Sequence, residues 1–368
     1  HSDFKRVIEE DFYYVDKSLL IKELIDSGSL ITILPRPRRF GKTLNLNMLK
    51  CFFEAKERGE QNIFTNLAIW QAGEEYREHY AQYPVIYLTF KDVKLNDWPR
   101  CLEQIKRIIK ELFRDCRELS ESSHLTEEEK GEFKGIIKES ASENSYLNSL
   151  KFLSTLLWKH YKEKVVILID EYDIPIQQGY TREFYEDAVE FTKTFLSGGL
   201  KDNPYLERAV LTGILRVSKE SIFSDLNNPD VCTLLSHHYA DKFGLLENEV
   251  IDMLDYFGIG FEMDHVRSWY NGYICGDTLI YNPWSIINYA HKYEDGLKSY
   301  WINSSSNTLI KQILTRGGEA LKNDLKELIE GKTVTKLIDE NIVFPEIESD
   351  INHLFSFLLF SGYLKPVK

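Results

Sequence analysis

The chain has 368 residues, 43% of them hydrophobic and 28% charged, with a formal net charge of -13. That length can bury a large core and suggests two domains, while the acidity weighs against a nucleic-acid binder that uses its whole surface. Five scattered cysteines with no C-x-x-C pair argue against a disulfide framework or a zinc site. No apolar run approaches the roughly 18 residues of a membrane span, so the expectation is a cytoplasmic protein.

In residues 11–28 the apolar positions Leu19, Leu20, Ile21, Leu24 and Ile25 recur at helical spacing, and Gly28 is a natural stop. "SLITILP" (29–35) is a short β-branched run ending in proline, the signature of a buried strand. The basic segment "RPRRFGKT" (36–43) follows, and then "TLNLNMLKCFFEA", in which Leu46, Leu49 and Phe53 share a helical face. "YPVIYLTFK" (83–91) predicts a second strand and 97–162 a long charged helical region, with Thr126 and Glu129 as a capping box. "KVVILIDEYD" (164–173), the most hydrophobic strand, ends in acids, and "RAVLTGILRVSK" (208–219) supplies a fourth. Strands alternating with helices predict an α/β fold with a mostly parallel sheet covered by helices.

Beyond about residue 240 the pattern turns helical, over 243–258 and 281–293, and the chain ends in "HLFSFLLFSGYLKPVK". The expected division is an α/β domain over 1–240 and a helical lid, or winged-helix-like domain, over 241–368.

The segment 36–43 lies between a strand and a helix, where a phosphate-binding loop belongs. Its end, Gly41-Lys42-Thr43, matches G-x-x-x-x-G-K-[ST], but Arg36 stands where that pattern has glycine. Pro35 and Pro37 restrict φ and can set a different turn. Gly41 lets the backbone approach phosphate, Lys42 brings an ammonium to the β- and γ-phosphates, and Thr43 offers its hydroxyl to Mg²⁺. The candidate ATP-binding residues are therefore Arg36, Pro37, Arg38, Arg39, Phe40, Gly41, Lys42 and Thr43. Arg38 and Arg39 are placed to meet a γ-phosphate, a neighbouring subunit of a self-associated protein, or solvent.

Asp170 and Glu171 stand at the carboxyl end of a buried strand, where ligands bind in open α/β sheets. Asp170 is the expected second Mg²⁺ residue and Glu171 the general base. The plainer alternative is that both only solvate the strand end. Thr212 ends the fourth strand as a residue orienting water or γ-phosphate, or as a hydroxyl bonded to its own backbone. Arg216 is expected at the γ-phosphate or in a surface ion pair, and Asp173 beside Lys42 or Arg38, or capping a helix. His237-His238 has no acidic or cysteine partner at ligand spacing and reads as structural. "SWYNGY" (268–273) reads as a packed turn, with a base-stacking platform as the alternative.

At "YVDKS", "RPRRFGKT", "VILIDEYDIPI", "LTGILRVSKESIFSDLNN", "WYNGY" and "YNPWSIINY" the chain resembles a bacterial AAA-ATPase-like family of P-loop proteins within the STAND/AAA group. The resemblance runs from about residue 4 to the C-terminus. It implies that Arg36 is the family's usual residue, that Lys42, Thr43, Asp170 and Glu171 are the nucleotide and Mg²⁺ residues, and that Thr212 and Arg216 form a T-G-x-x-R segment. Many members carry a C-terminal nuclease-like domain of the PD-(D/E)XK type. Lys368 falls about where that domain is expected to begin, and no such constellation stands upstream.

These readings converge on a Mg²⁺-dependent ATPase that controls a partner or an attached effector. The alternatives are a non-catalytic nucleotide-gated interaction module, a P-loop phosphotransferase, and a nucleic-acid binder working through the basic loop and aromatics. GTP is disfavoured because no N-K-x-D motif is present.

Overall fold

A computed structural model describes residues 1–57, 59, 61–215, 229–270, 272–301, 318–347 and 349–367. By internal packing the chain divides into two compact units. The first contains His1–Pro35 and Lys42–Gly213, together with the short strand near residue 230; the second contains Arg36–Gly41 and the described residues from Thr233 onward.

The first unit opens with α1 (Phe4–Glu9) and α2 (Leu19–Asp26), which precede β1 (Ile31–Pro35). Then come α3 (Lys42–Phe53), two single-turn helices α4 (Ala68–Gln71) and α5 (Glu74–Arg77), and β2 (Val85–Thr89). The charged region resolves into α6 (Trp98–Arg114), α7 (Glu127–Ile137), α8 (Glu143–Leu147) and α9 (Ser149–Tyr161). β3 (Val165–Asp170), α10 (Ile174–Arg182), α11 (Tyr185–Leu200), β4 (Leu206–Gly213) and β5 (Asp230–Val231) complete it. Helix α1, the two single-turn helices and the two-residue β5 are too short to leave a periodic pattern, and sequence reading does not find them.

The five strands form one parallel sheet in the order β2-β3-β4-β1-β5. β1 and β3 are buried at every position, as expected of strands covered on both faces. β4 lies between them, so the strand leading into "RPRRFGKT" and the strand ending in acids are not neighbours. Register aligns Thr89, Asp170 and Thr212 across β2, β3 and β4, which brings three polar strand ends to one edge. The capping box of α7 is formed: Thr126 Oγ1 accepts from Glu129 N–H, and Glu129 Oε2 accepts from Thr126 N–H.

The second unit holds α12 (Glu247–Tyr256), α13 (Met263–Trp269), an antiparallel hairpin of β6 (Tyr273–Cys275) and β7 (Thr278–Ile280), and α14 (Pro283–His291). α15 (Glu319–Ile329) and α16 (Ile351–Phe360) follow. A further antiparallel bridge joins Leu245 to Tyr281, each N–H donating to the other's carbonyl. Among the described residues no helix is long and apolar enough to cross a membrane.

Candidate functional site

In the first unit the candidate residues meet at the carboxyl edge of the sheet. Asp170, the last residue of β3, is fully buried. The Thr43 hydroxyl, from the first turn of α3, donates to its Oδ2 over 2.8 Å, and Thr212 donates to its Oδ1 over 2.8 Å. A third hydroxyl, Thr89 Oγ1 at the end of β2, lies 3.3 Å from Oδ2. Burial and the neighbouring Glu171 carboxylate push the Asp170 carboxyl above its ordinary range, while Thr43, Lys42 and Thr212 hold it down. Thr212 thus bonds to the acid of the adjacent strand. Thr89 escapes sequence reading because "YLTF" shows a threonine at a strand end but not the register that sets it beside Asp170.

Lys42 and Glu171 form an ion pair, Nζ to Oε1, at 3.3 Å. The Lys42 side chain is 3% exposed and that of Glu171 19%, so this pair is shielded from solvent screening. Glu171 has φ +53, a left-handed backbone that is uncommon for a non-glycine residue and typical of functional turns. The turn is held by Tyr172 N–H donating to Thr212 O and Ile174 N–H to Glu171 O. Asp173 is buried and precedes α10, but its carboxylate does not cap that helix. It lies against Gly213, where a Cβ would fall 2.6 Å from Asp173 Oδ1.

These groups suit a divalent cation. Asp170 and Thr43 present hard oxygen donors of the kind Mg²⁺ takes. Glu171 Oε2 is buried and has no hydrogen-bond partner among the described residues, so a water or an ion's hydration shell would satisfy it.

Residues Arg36–Gly41 pack within the second unit. Arg39 has φ +68 and Gly41 φ +84, the alternation in which successive N–H groups can form an anion-binding concavity. Among the described residues, chain neighbours aside, no atom lies within 4 Å of where a Gly41 Cβ would stand, so the positive φ is itself a reason for glycine there. Arg36 is buried, donates to Tyr239 O over 3.3 Å and lies 5.2 Å from the Phe243 ring. These contacts stand at the very position where the standard pattern has glycine. The Arg39 guanidinium stacks 4.4 Å over Trp284, and Phe40 meets Tyr273 edge-on at 5.0 Å.

Residues 1–223 match the protein family described as "Predicted AAA-ATPase". The chain belongs to this AAA-ATPase-like family. An "Uncharacterized protein in vnfD 5'region" from Azotobacter chroococcum mcd 1 is 28% identical over 307 residues, covering 83% of this chain. The matched stretch is 53% of that relative, so the chain spans about half its length. Family membership and the parallel sheet agree on a P-loop NTPase-like α/β fold.

Arg216 lies outside the described residues. His237 acquires an acidic neighbour that spacing does not reveal, since its Nδ1 is 3.3 Å from Asp277 Oδ2, with both side chains exposed. Among the described residues no group of three or more His, Cys, Asp or Glu could hold a metal ion.

Proposed function

We propose that this AAA-ATPase-like protein binds ATP with Mg²⁺ and hydrolyses its β–γ bond. The observation that carries the reading is the convergence on one sheet edge of Thr43, Asp170, Thr212, Lys42 and Glu171, drawn from α3, β3, β4 and the turn after β3. Thr43 and Asp170 would hold the ion, which when bound supplies neutralisation of phosphate charge. Lys42 would release Glu171 and turn its ammonium to the phosphates. Glu171 would accept the proton of a water attacking the γ-phosphorus as the bond to ADP breaks, giving ADP and phosphate. Thr212 keeps the Asp170 carboxylate oriented. The backbone N–H groups of residues 38–43 would bind phosphate oxygens.

Hydrolysis would alter the packing of the second unit and so act on a partner or an attached effector; a nuclease-like domain, of the kind implied by the family resemblance, is one such effector. A second reading has its own support. The Lys42–Glu171 pair occupies both the phosphate-binding ammonium and the base, as in a nucleotide-gated module that rests in an inactive state. Phosphate release by wild type and by Glu171→Gln, with ATP binding measured in both, separates the two. Release that falls to background in the variant supports hydrolysis. Equal, near-background release with binding retained overturns it in favour of the gated module.

A further inference from the structure

The carbonyl oxygens of the phosphate loop are held by specific donors. Arg38 O accepts from Asn282 Nδ2 at 3.4 Å and from Trp301 Nε1 at 3.2 Å. Phe40 O accepts from Gly244 N–H at 3.2 Å. Gly244 is confined at that point: its φ is +82, and a Cβ would stand 2.2 Å from Ile280 Cγ2 and 3.2 Å from Phe40 Cδ1. The Leu245–Tyr281 bridge ties the two anchors together, because Gly244 precedes one partner and Asn282 follows the other.

The Asn282 amide has little freedom to reverse. Its Oδ1 caps α14 by accepting from Ser285 N–H at 3.1 Å, which leaves Nδ2 to face Arg38 O. Trp301 is braced by Tyr363, ring to ring at 4.8 Å.

A trans peptide sets the carbonyl of one residue opposite the N–H of the next, and no described peptide bond is cis. Fixing Arg38 O and Phe40 O therefore turns the N–H groups of Arg39 and Gly41 the other way. An anion-binding loop needs its N–H groups set together before the ligand arrives, since ordering them on binding costs affinity.

We infer that Asn282 and Trp301 are positioning residues for phosphate binding, presetting the loop N–H groups by holding the Arg38 carbonyl. The inference rests on the nucleotide reading above. It gives the "YNPW" segment a role at the phosphates without contact to them.

Two near-isosteric changes test it. Asn282→Asp keeps the oxygen that caps α14 and removes the donor to Arg38, and Trp301→Phe keeps an aromatic ring and removes the N–H. Affinities for ATP and for inorganic tripolyphosphate, which has no base or ribose, are measured with Tm. Each variant is expected to bind both ligands roughly fivefold more weakly, as for one lost hydrogen bond, with Tm within about 2 °C of wild type. Unchanged affinities overturn the inference, as does a loss for ATP alone or a loss that tracks a fall in Tm in both variants. Should Asn282→Asp fail to fold, Trp301→Phe decides. Wild type that binds neither ligand overturns the nucleotide reading and this inference with it, whereas wild type that binds both while the variants match it overturns the inference alone.

Discussion

The Lys42 ammonium and the Glu171 carboxylate face each other at 3.3 Å, one on the first turn of α3 and the other in the turn after β3. Under the proposed function, neither group would serve a nucleotide fully while it serves the other. Glu171→Gln removes the charge that competes with phosphate for Lys42, so the variant is expected to bind ATP roughly fivefold more tightly than wild type. It should also lose phosphate release by about a hundredfold or more, the usual contribution of a general base. Titration of a fluorescent ATP analogue, followed by single-turnover release, checks both. Weaker binding by the variant would show that the pair supports the nucleotide site instead of competing with it.

Asp170 is a buried carboxylate whose ionised form is disfavoured first by burial and then by Glu171. Asp170→Asn removes the charge and keeps an oxygen to accept from threonine. In EDTA the variant is expected to be at least as stable as wild type, and up to about 1 kcal/mol more stable. Chemical denaturation gives the comparison. Mg²⁺ should stabilise the wild type and not the variant. A metal-free variant destabilised by more than about 1 kcal/mol would mean that the charge itself organises the three strand ends.

Thr212 tests the other side of the same carboxylate. Thr212→Ala leaves Asp170 Oδ1 without its 2.8 Å donor and is expected to cost about 2 kcal/mol of stability, as for a hydrogen bond to a charged group. Thr212→Ser restores the hydroxyl and should recover most of that loss. A serine variant as unstable as the alanine variant would assign the effect to the lost methyl group.

The α7 capping box carries a pH dependence remote from the site. Burial raises the Glu129 carboxyl, but the ion pair with Lys159 and the hydrogen bonds from Thr126 outweigh it, and the net shift is downward. A lowered folded-state value means that the unfolded chain takes up protons first. The contribution is therefore present above the ordinary glutamate range, and it is lost as pH falls through the lowered value. Glu129→Gln keeps an acceptor for the Thr126 N–H but not the ion pair. The stability gap between wild type and this variant, about 1 kcal/mol at neutral pH, should close in acid. Urea denaturation across that range checks it, and a gap that stays constant would exclude the carboxylate as its source.

Much was determined by sequence alone. The four longer strands of the first unit, the loop between β1 and α3, and the acids at the end of β3 follow from local pattern, because runs of buried β-branched residues and helical periodicity are set by neighbours in the chain. Lys42, Thr43, Asp170 and Glu171 stand out for the same reason. Tertiary structure decided the rest. β4 enters between β1 and β3, and that order sets Thr212 beside Asp170 while Thr89 joins from the opposite neighbour. Arg36 stands beside the loop in sequence, and folding sets its guanidinium near Tyr239 O and the Phe243 ring, contacts that local sequence does not show. Asn282 and Trp301 carry no motif that ties them to residue 38, since a hydrogen bond spanning 244 or 263 positions leaves no local periodicity. Short-range chemistry is written along the chain, whereas strand order, register and long-range hydrogen bonds exist only once the core has closed.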